Sequence, residues 1–187
     1  MTIKDFVPPI LIRLVKRIIG LDNTKEYVDY YQALKECTSF SYGDFDFCRM
    51  IADKTMIYKQ GLKKPHYLKP NESFLLAAIG QYINNNSKTS LKILDFGGAC
   101  GSHYFEIKRF LPADLSLKWI VVETDQMVKS AVNMNLQNNE LNFINSIDDI
   151  KIKIDFIHSS GALQCVSDPY EIISKLITID ASCMLFN

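Results

Sequence analysis

Residues Asp95 to Gly101 read Asp-Phe-Gly-Gly-Ala-Cys-Gly, a carboxylate followed closely by three glycines. A backbone with so few side chains can approach a ligand closely and adopt angles closed to other residues. The spacing is not G-x-G-x-x-G, because Ala99 and Cys100 separate Gly98 from Gly101. Asp95 stands two places before the first of these glycines. Aimed into a ligand crevice, its charge would oppose a pyrophosphate and favour a ligand bearing an ammonium and a sulfonium. Glu123 follows 22 residues beyond Gly101. A carboxylate at that place can accept hydrogen bonds from both hydroxyls of a ribose.

Together these residues predict S-adenosyl-L-methionine as the cofactor. The turn alone announces only a nucleoside, since dinucleotide enzymes use glycine turns too. Asp95, Phe96, Gly97, Gly98, Gly101 and Glu123 are expected around the cofactor. Ser159 and Ser160 are expected at its methionine end and Asp148 near the adenine amino group. Transfer of a methyl group to a hydroxyl also needs a base. His158 and His103 are the candidates, each with the alternative of being a hydrogen-bonded histidine that moves no proton.

The elements that must position these residues alternate. Helix is expected over 72–83, strand over 91–96, helix over 102–110, strand over 117–123 and helix over 126–136. Short strands follow at 141–145 and 152–159, then a helix over 168–177 and the opening of a fifth strand at 182–186. Strands alternating with helices at this spacing predict βαβ units and a mostly parallel, Rossmann-like α/β sheet. The glycine turn then falls at the carboxyl end of the first strand, where such sheets bind ligands.

Residues 1–72 have a different texture, without strand alternation, and are expected to form an N-terminal helical extension. The cofactor domain is expected over 73–187. Tyr27, Tyr30, Tyr31, Leu34 and Cys37 share one face of an expected helix over 22–37, and another helix is expected over 47–58. The aromatic run near residues 38–47 could stack on sugar or base faces or simply pack as core. Residues 61–70 are expected as a loop.

Residues 6–19 are apolar but interrupted by Arg13, Lys16 and Arg17 on one helical face, too short and too charged to span a bilayer. A basic amphipathic helix there could lie on the inner face of a membrane or pack on protein. No signal-type cleavage site follows, so a cytoplasmic location is expected.

Lys plus Arg and Asp plus Glu number 21 each, for a formal net charge of zero. That excludes broad electrostatic capture of nucleic acid. The five cysteines are scattered and never spaced as C-x-x-C, which suits reduced thiols. The three histidines have no metal-ligand spacing with each other or with cysteine, so no metal is expected.

The motif at 95–101, the acidic residue ending the second strand and the run DFIHSSGALQ (155–164) resemble class I S-adenosylmethionine-dependent methyltransferases. The chain further resembles a methyltransferase family of undefined substrate encoded among genes for surface-polysaccharide and O-antigen synthesis. Pro8-Pro9, Ala33 to Cys37, Leu94 to Pro112 and His158 to Tyr170 carry that likeness over nearly the whole chain. The glycine turn is widely shared, whereas HSSGALQ is particular to the group. The resemblance implies methylation of a sugar or lipid-linked glycan precursor. One departure stands out. Many small-molecule methyltransferases place a histidine after the leucine that follows strand four, and Gln164 occupies that place here.

The class also implies seven strands, so a sheet incomplete beyond strand five is expected, with an edge open to pairing with a second copy. Two other functions compete. A non-catalytic binding or scaffolding module would bind cofactor without consuming it. A nucleotide-dependent oxidoreductase or epimerase would bind NAD, against the sense of Asp95 and the absent G-x-G-x-x-G.

Overall fold

A computed structural model of the chain describes residues 27–36, 42–61 and 68–187. The expected helix over 6–19 lies outside the described residues, as do most of the loop at 61–70 and part of the aromatic run. Contacts divide the chain into two compact units, 1–38 and 39–187. In the first, helix α1 (Tyr30–Glu36) is described and buries none of its residues. Among the described residues, no helix is long and apolar enough to cross a membrane.

The second unit begins with α2 (Phe45–Gly61) and α3 (Pro70–Asn85). Asp44 starts α2 by accepting a hydrogen bond from the Phe47 amide at 3.0 Å. Pro70 starts α3, where its missing N–H costs nothing. Then β1 (Ser90–Phe96), α4 (Ser102–Ile107), β2 (Ser116–Val122), α5 (Asp125–Asn133) and β3 (Leu141–Ile144) alternate as expected. They are followed by β4 (Phe156–Ser159), α6 (Pro169–Thr178) and β5 (Cys183–Phe186). Asp168 caps α6 by accepting from the Glu171 amide at 2.9 Å, with Pro169 next in line. Helix α2 packs on α5, so it belongs to the sheet's own unit.

The five described strands form one parallel sheet in the order β3-β2-β1-β4-β5. Chain order reverses at β1, which makes the gap between the carboxyl ends of β1 and β4 the switch point where ligands bind. Strand β4 is shorter than expected and starts at Phe156 rather than 152. Just before it, the Asp155 side chain ties the chain to the start of β1. Its Oδ2 accepts the Lys92 amide at 2.9 Å and its Oδ1 the Lys88 ammonium at 2.8 Å, fixing the chain locally through a carboxylate.

Both sheet faces are buried. Leu91, Ile93, Trp119, Val121 and Phe156 pack with residues of α2 to α5. Leu94, Phe96, Ile120, Val122 and Ile157 pack with Leu176 of α6 and Ile147. This two-residue alternation decides which way each side chain at the end of β1 points.

Candidate cofactor site

The turn after β1 holds its shape through backbone conformations that favour glycine. Gly97 has φ +71° and Gly101 φ +80°, and Ala99 is drawn into the same left-handed region at φ +50°. Gly97 leaves no room for a side chain, because a β-carbon there would strike the Ala162 methyl. The loop after β4 thereby lies against the loop after β1.

A cavity of about 270 Å³ opens at these carboxyl ends. Phe96, Gly97 and Glu123 form one part of its wall, and Ser160, Ala162 and Cys165 another. Tyr42, Thr124 and Asn145 complete the rim. Tyr42 reaches it because its carbonyl accepts the Thr124 hydroxyl at 2.8 Å and the Cys48 thiol at 3.2 Å. Asn145 is hydrogen-bonded to Asp125 at the start of α5.

Glu123 stands where the sequence places it. Its Oε1 accepts the Ala99 amide at 3.1 Å and its Oε2 the Thr124 amide at 2.9 Å. Burial pushes its carboxyl above the usual range. The two amides offset this in part, and the charge of Asp95 adds to it. Each oxygen keeps a further lone pair for a hydroxyl.

Asp95 does not face this cavity. It shares the parity of Leu91 and Ile93, whereas Phe96, next to it, lines the cavity. Its carboxylate is fully buried and enclosed by donors. His103 Nδ1 lies 3.0 Å from Oδ2, His158 Nδ1 2.9 Å from Oδ1, and Trp119 Nε1 donates to Oδ2 at 3.2 Å. Burial alone would raise the Asp95 carboxyl, but His103 and His158 overcome that and hold it far below the usual range. His103 moves the other way. Burial would lower it, yet Asp95, with Glu106 and Glu72 adding, raises it above an ordinary imidazole. The two rings meet edge to face with centroids 4.8 Å apart. Asp95 therefore lies beneath the turn, and neither histidine lines the cavity.

The remaining expected residues divide. Ser160 lines the cavity, as do Phe96 and Gly97, whereas Ser159 is buried beside it at the end of β4. Gly98 and Gly101 are buried within the turn, packed against Asp95 and against Leu141 and Phe143 respectively. Asp148 does not line this cavity. Ser146 accepts the Asp148 amide at 3.1 Å and turns residues 147–149 into a short 3-10 helix. The Asp148 carboxylate consequently faces Lys175 at 3.7 Å and lines a separate depression beside α6. Asn145, three residues earlier, takes the cavity position. Sequence reasoning missed Asn145 and Tyr42. A polar residue immediately after β3 was the available signal for the first.

No protein-family model and no curated protein matches the chain. Solved structures do. A Methanococcus maripaludis protein designated an S-adenosyl-L-methionine-dependent methyltransferase superposes with a TM-score of 0.50 at 14% identity, covering 76% of this chain and 61% of its own. This chain has that fold. A SAM-dependent methyltransferase from Aquifex aeolicus aligns with a TM-score of 0.45 and 14% identity over 75% of this chain and 68% of its own. The plantazolicin methyltransferase BpumL in complex with a triazolic desmethylPZN analog and SAH gives 0.44 and 20% over 73% and 57%. The chain thus spans about three-fifths of the first of these proteins.

Proposed function

We propose that the chain binds S-adenosylmethionine in the cavity between β1 and β4 and transfers its methyl group to a hydroxyl of a sugar or lipid-linked glycan precursor. The observation that carries the cofactor is Glu123 at the end of β2, its carboxylate facing the cavity beside the turn of Gly97 to Gly101. The donor set suits such a ligand. Glu123 offers acceptors to a ribose diol, Asn145 an amide to an adenine edge, and Ser160 a hydroxyl to the amino-acid end. The glycan acceptor rests on the resemblance of the HSSGALQ block to a methyltransferase family encoded among surface-polysaccharide genes.

The bound cofactor supplies an electrophilic methyl group. The chain's own residues hold the nucleoside and keep water from it. Phe96, Val122 and Val166 give the cavity its apolar surface. Tyr42, on the rim, covers a bound nucleoside with an aromatic ring. Positioning the acceptor in line with the methyl group is the remaining requirement.

Calorimetric titration with S-adenosylhomocysteine, beside NAD, tests the reading. Homocysteine-analogue binding that falls at least tenfold in Glu123→Ala, with NAD ignored, supports it. Equal indifference to both ligands, or preference for NAD, refutes it.

A further inference from the structure

We propose that Asp95, His103 and His158 form a binding site for one divalent transition-metal ion, set behind the glycine turn and apart from the cofactor cavity. Linear spacing hides the cluster, since its members come from the end of β1, the first turn of α4 and β4. The β1–β4 register places Asp95 directly beside His158.

The geometry is compact. One ligand atom from each of the three residues lies within 4.8 Å of the other two. The two nitrogen-to-carboxylate edges measure 3.0 and 2.9 Å. Metal bonds of about 2.0–2.2 Å allow ligand atoms up to about 4.4 Å apart, so the cluster closes by a few tenths of an ångström around an ion, which both carboxylate oxygens can meet. Trp119 Nε1, at 3.2 Å from Oδ2, holds the carboxylate from behind, as outer partners of metal ligands commonly do.

Internal hydrogen bonds do not satisfy this region. His158 is 1% exposed, and its Nε2 is buried without a partner. Glu72, buried close enough to act on His103, also has an oxygen without a partner. Glu106 adds a third buried carboxyl to the neighbourhood. Lys69 offsets part of this charge at 3.5 Å from Glu72, and a metal ion beside Asp95 would offset more. His103 keeps about one-fifth of its side chain exposed, which gives an ion its approach.

Two imidazoles and one carboxylate with open positions suit Zn²⁺, Co²⁺ or Fe²⁺ rather than the all-oxygen preference of Mg²⁺ and Ca²⁺. Coordination through Nδ1 keeps the proton count simple. Each imidazole that coordinates through Nδ1 gives up any proton held there, and solvent receives it.

The test is titration of the chelator-stripped full chain with Co²⁺, followed by visible absorption, and with Zn²⁺ by calorimetry. The expected result is one equivalent per chain and a Co²⁺ band that excess Zn²⁺ abolishes. His103→Ala should weaken Co²⁺ binding about 100-fold or more, beyond what loss of an outer partner costs. His66→Ala, which removes the other histidine of the chain, should leave it unchanged. Absence of a stoichiometric band, or a band that survives His103→Ala, overturns the proposal. Melting temperature and S-adenosylhomocysteine affinity are measured on the same samples. Cofactor binding without Co²⁺ binding refutes this site and leaves the methyltransferase reading standing, and the reverse result separates them equally.

Discussion

Gly98 lies directly over the Asp95 carboxylate, so that a β-carbon at position 98 would fall on Oδ2. The turn that shapes the cofactor cavity is therefore packed onto the group that holds both histidines. Glycine is required at 98 for space, and at 97 and 101 for conformation as well.

Two neighbouring substitutions should act in opposite directions. Gly98→Ala drives a methyl group into a buried, hydrogen-bonded carboxylate and should cost about 1–3 kcal/mol. Ala99→Gly relieves a left-handed backbone and should gain about 1 kcal/mol, because φ +50° strains any residue with a β-carbon. Urea unfolding of both variants reads the signs. A neutral Gly98→Ala would show that the carboxylate can move aside.

Cys165 is exposed and lines the cavity, whereas Cys48 and Cys100 are buried and burial pushes the Cys100 thiol up to about 12. In a Cys37→Ser background, an alkylating reagent should label Cys165 first. S-adenosylhomocysteine should slow that labelling at least tenfold, as followed by mass spectrometry. Unprotected labelling at saturating ligand would move the nucleoside elsewhere.

Asp155 ties β1 to the segment before β4. Burial would raise its carboxyl, but the Lys88 ammonium and the Lys92 amide bring it below the usual range. A depressed folded value contributes stability above the unfolded value of about 4 and loses it as pH falls below that point. Asp155→Asn should therefore cost about 2 kcal/mol at pH 7, and the gap to the wild type should close on acidification below about pH 4. A gap that stays constant with pH would assign the effect to shape rather than charge.

The alternation of strands with helices and the turn at 95–101 were legible because each is written locally, in periodicity and in glycine spacing. Glu123 was legible for the same reason, as an acidic residue ending a hydrophobic strand. The direction of Asp95 was also available, since counting by two from Leu91 and Ile93 puts it on the face opposite Phe96. Charge complementarity to a sulfonium suggested the cavity side, but the pleat decides. The meeting of His103 with His158 was not legible, because it depends on which strand lies beside β1. Asp148 was lost to a capping serine that turned the chain, and Tyr42 to contacts made by its own carbonyl. Neither event leaves a period in the sequence.

Trp119 is the single tryptophan of the chain, fully buried, with its indole N–H on Asp95. The protein thus carries an intrinsic optical reporter at its most polar interior point. Its emission, unmixed with any other indole, should register protonation or occupancy beneath the turn without a label.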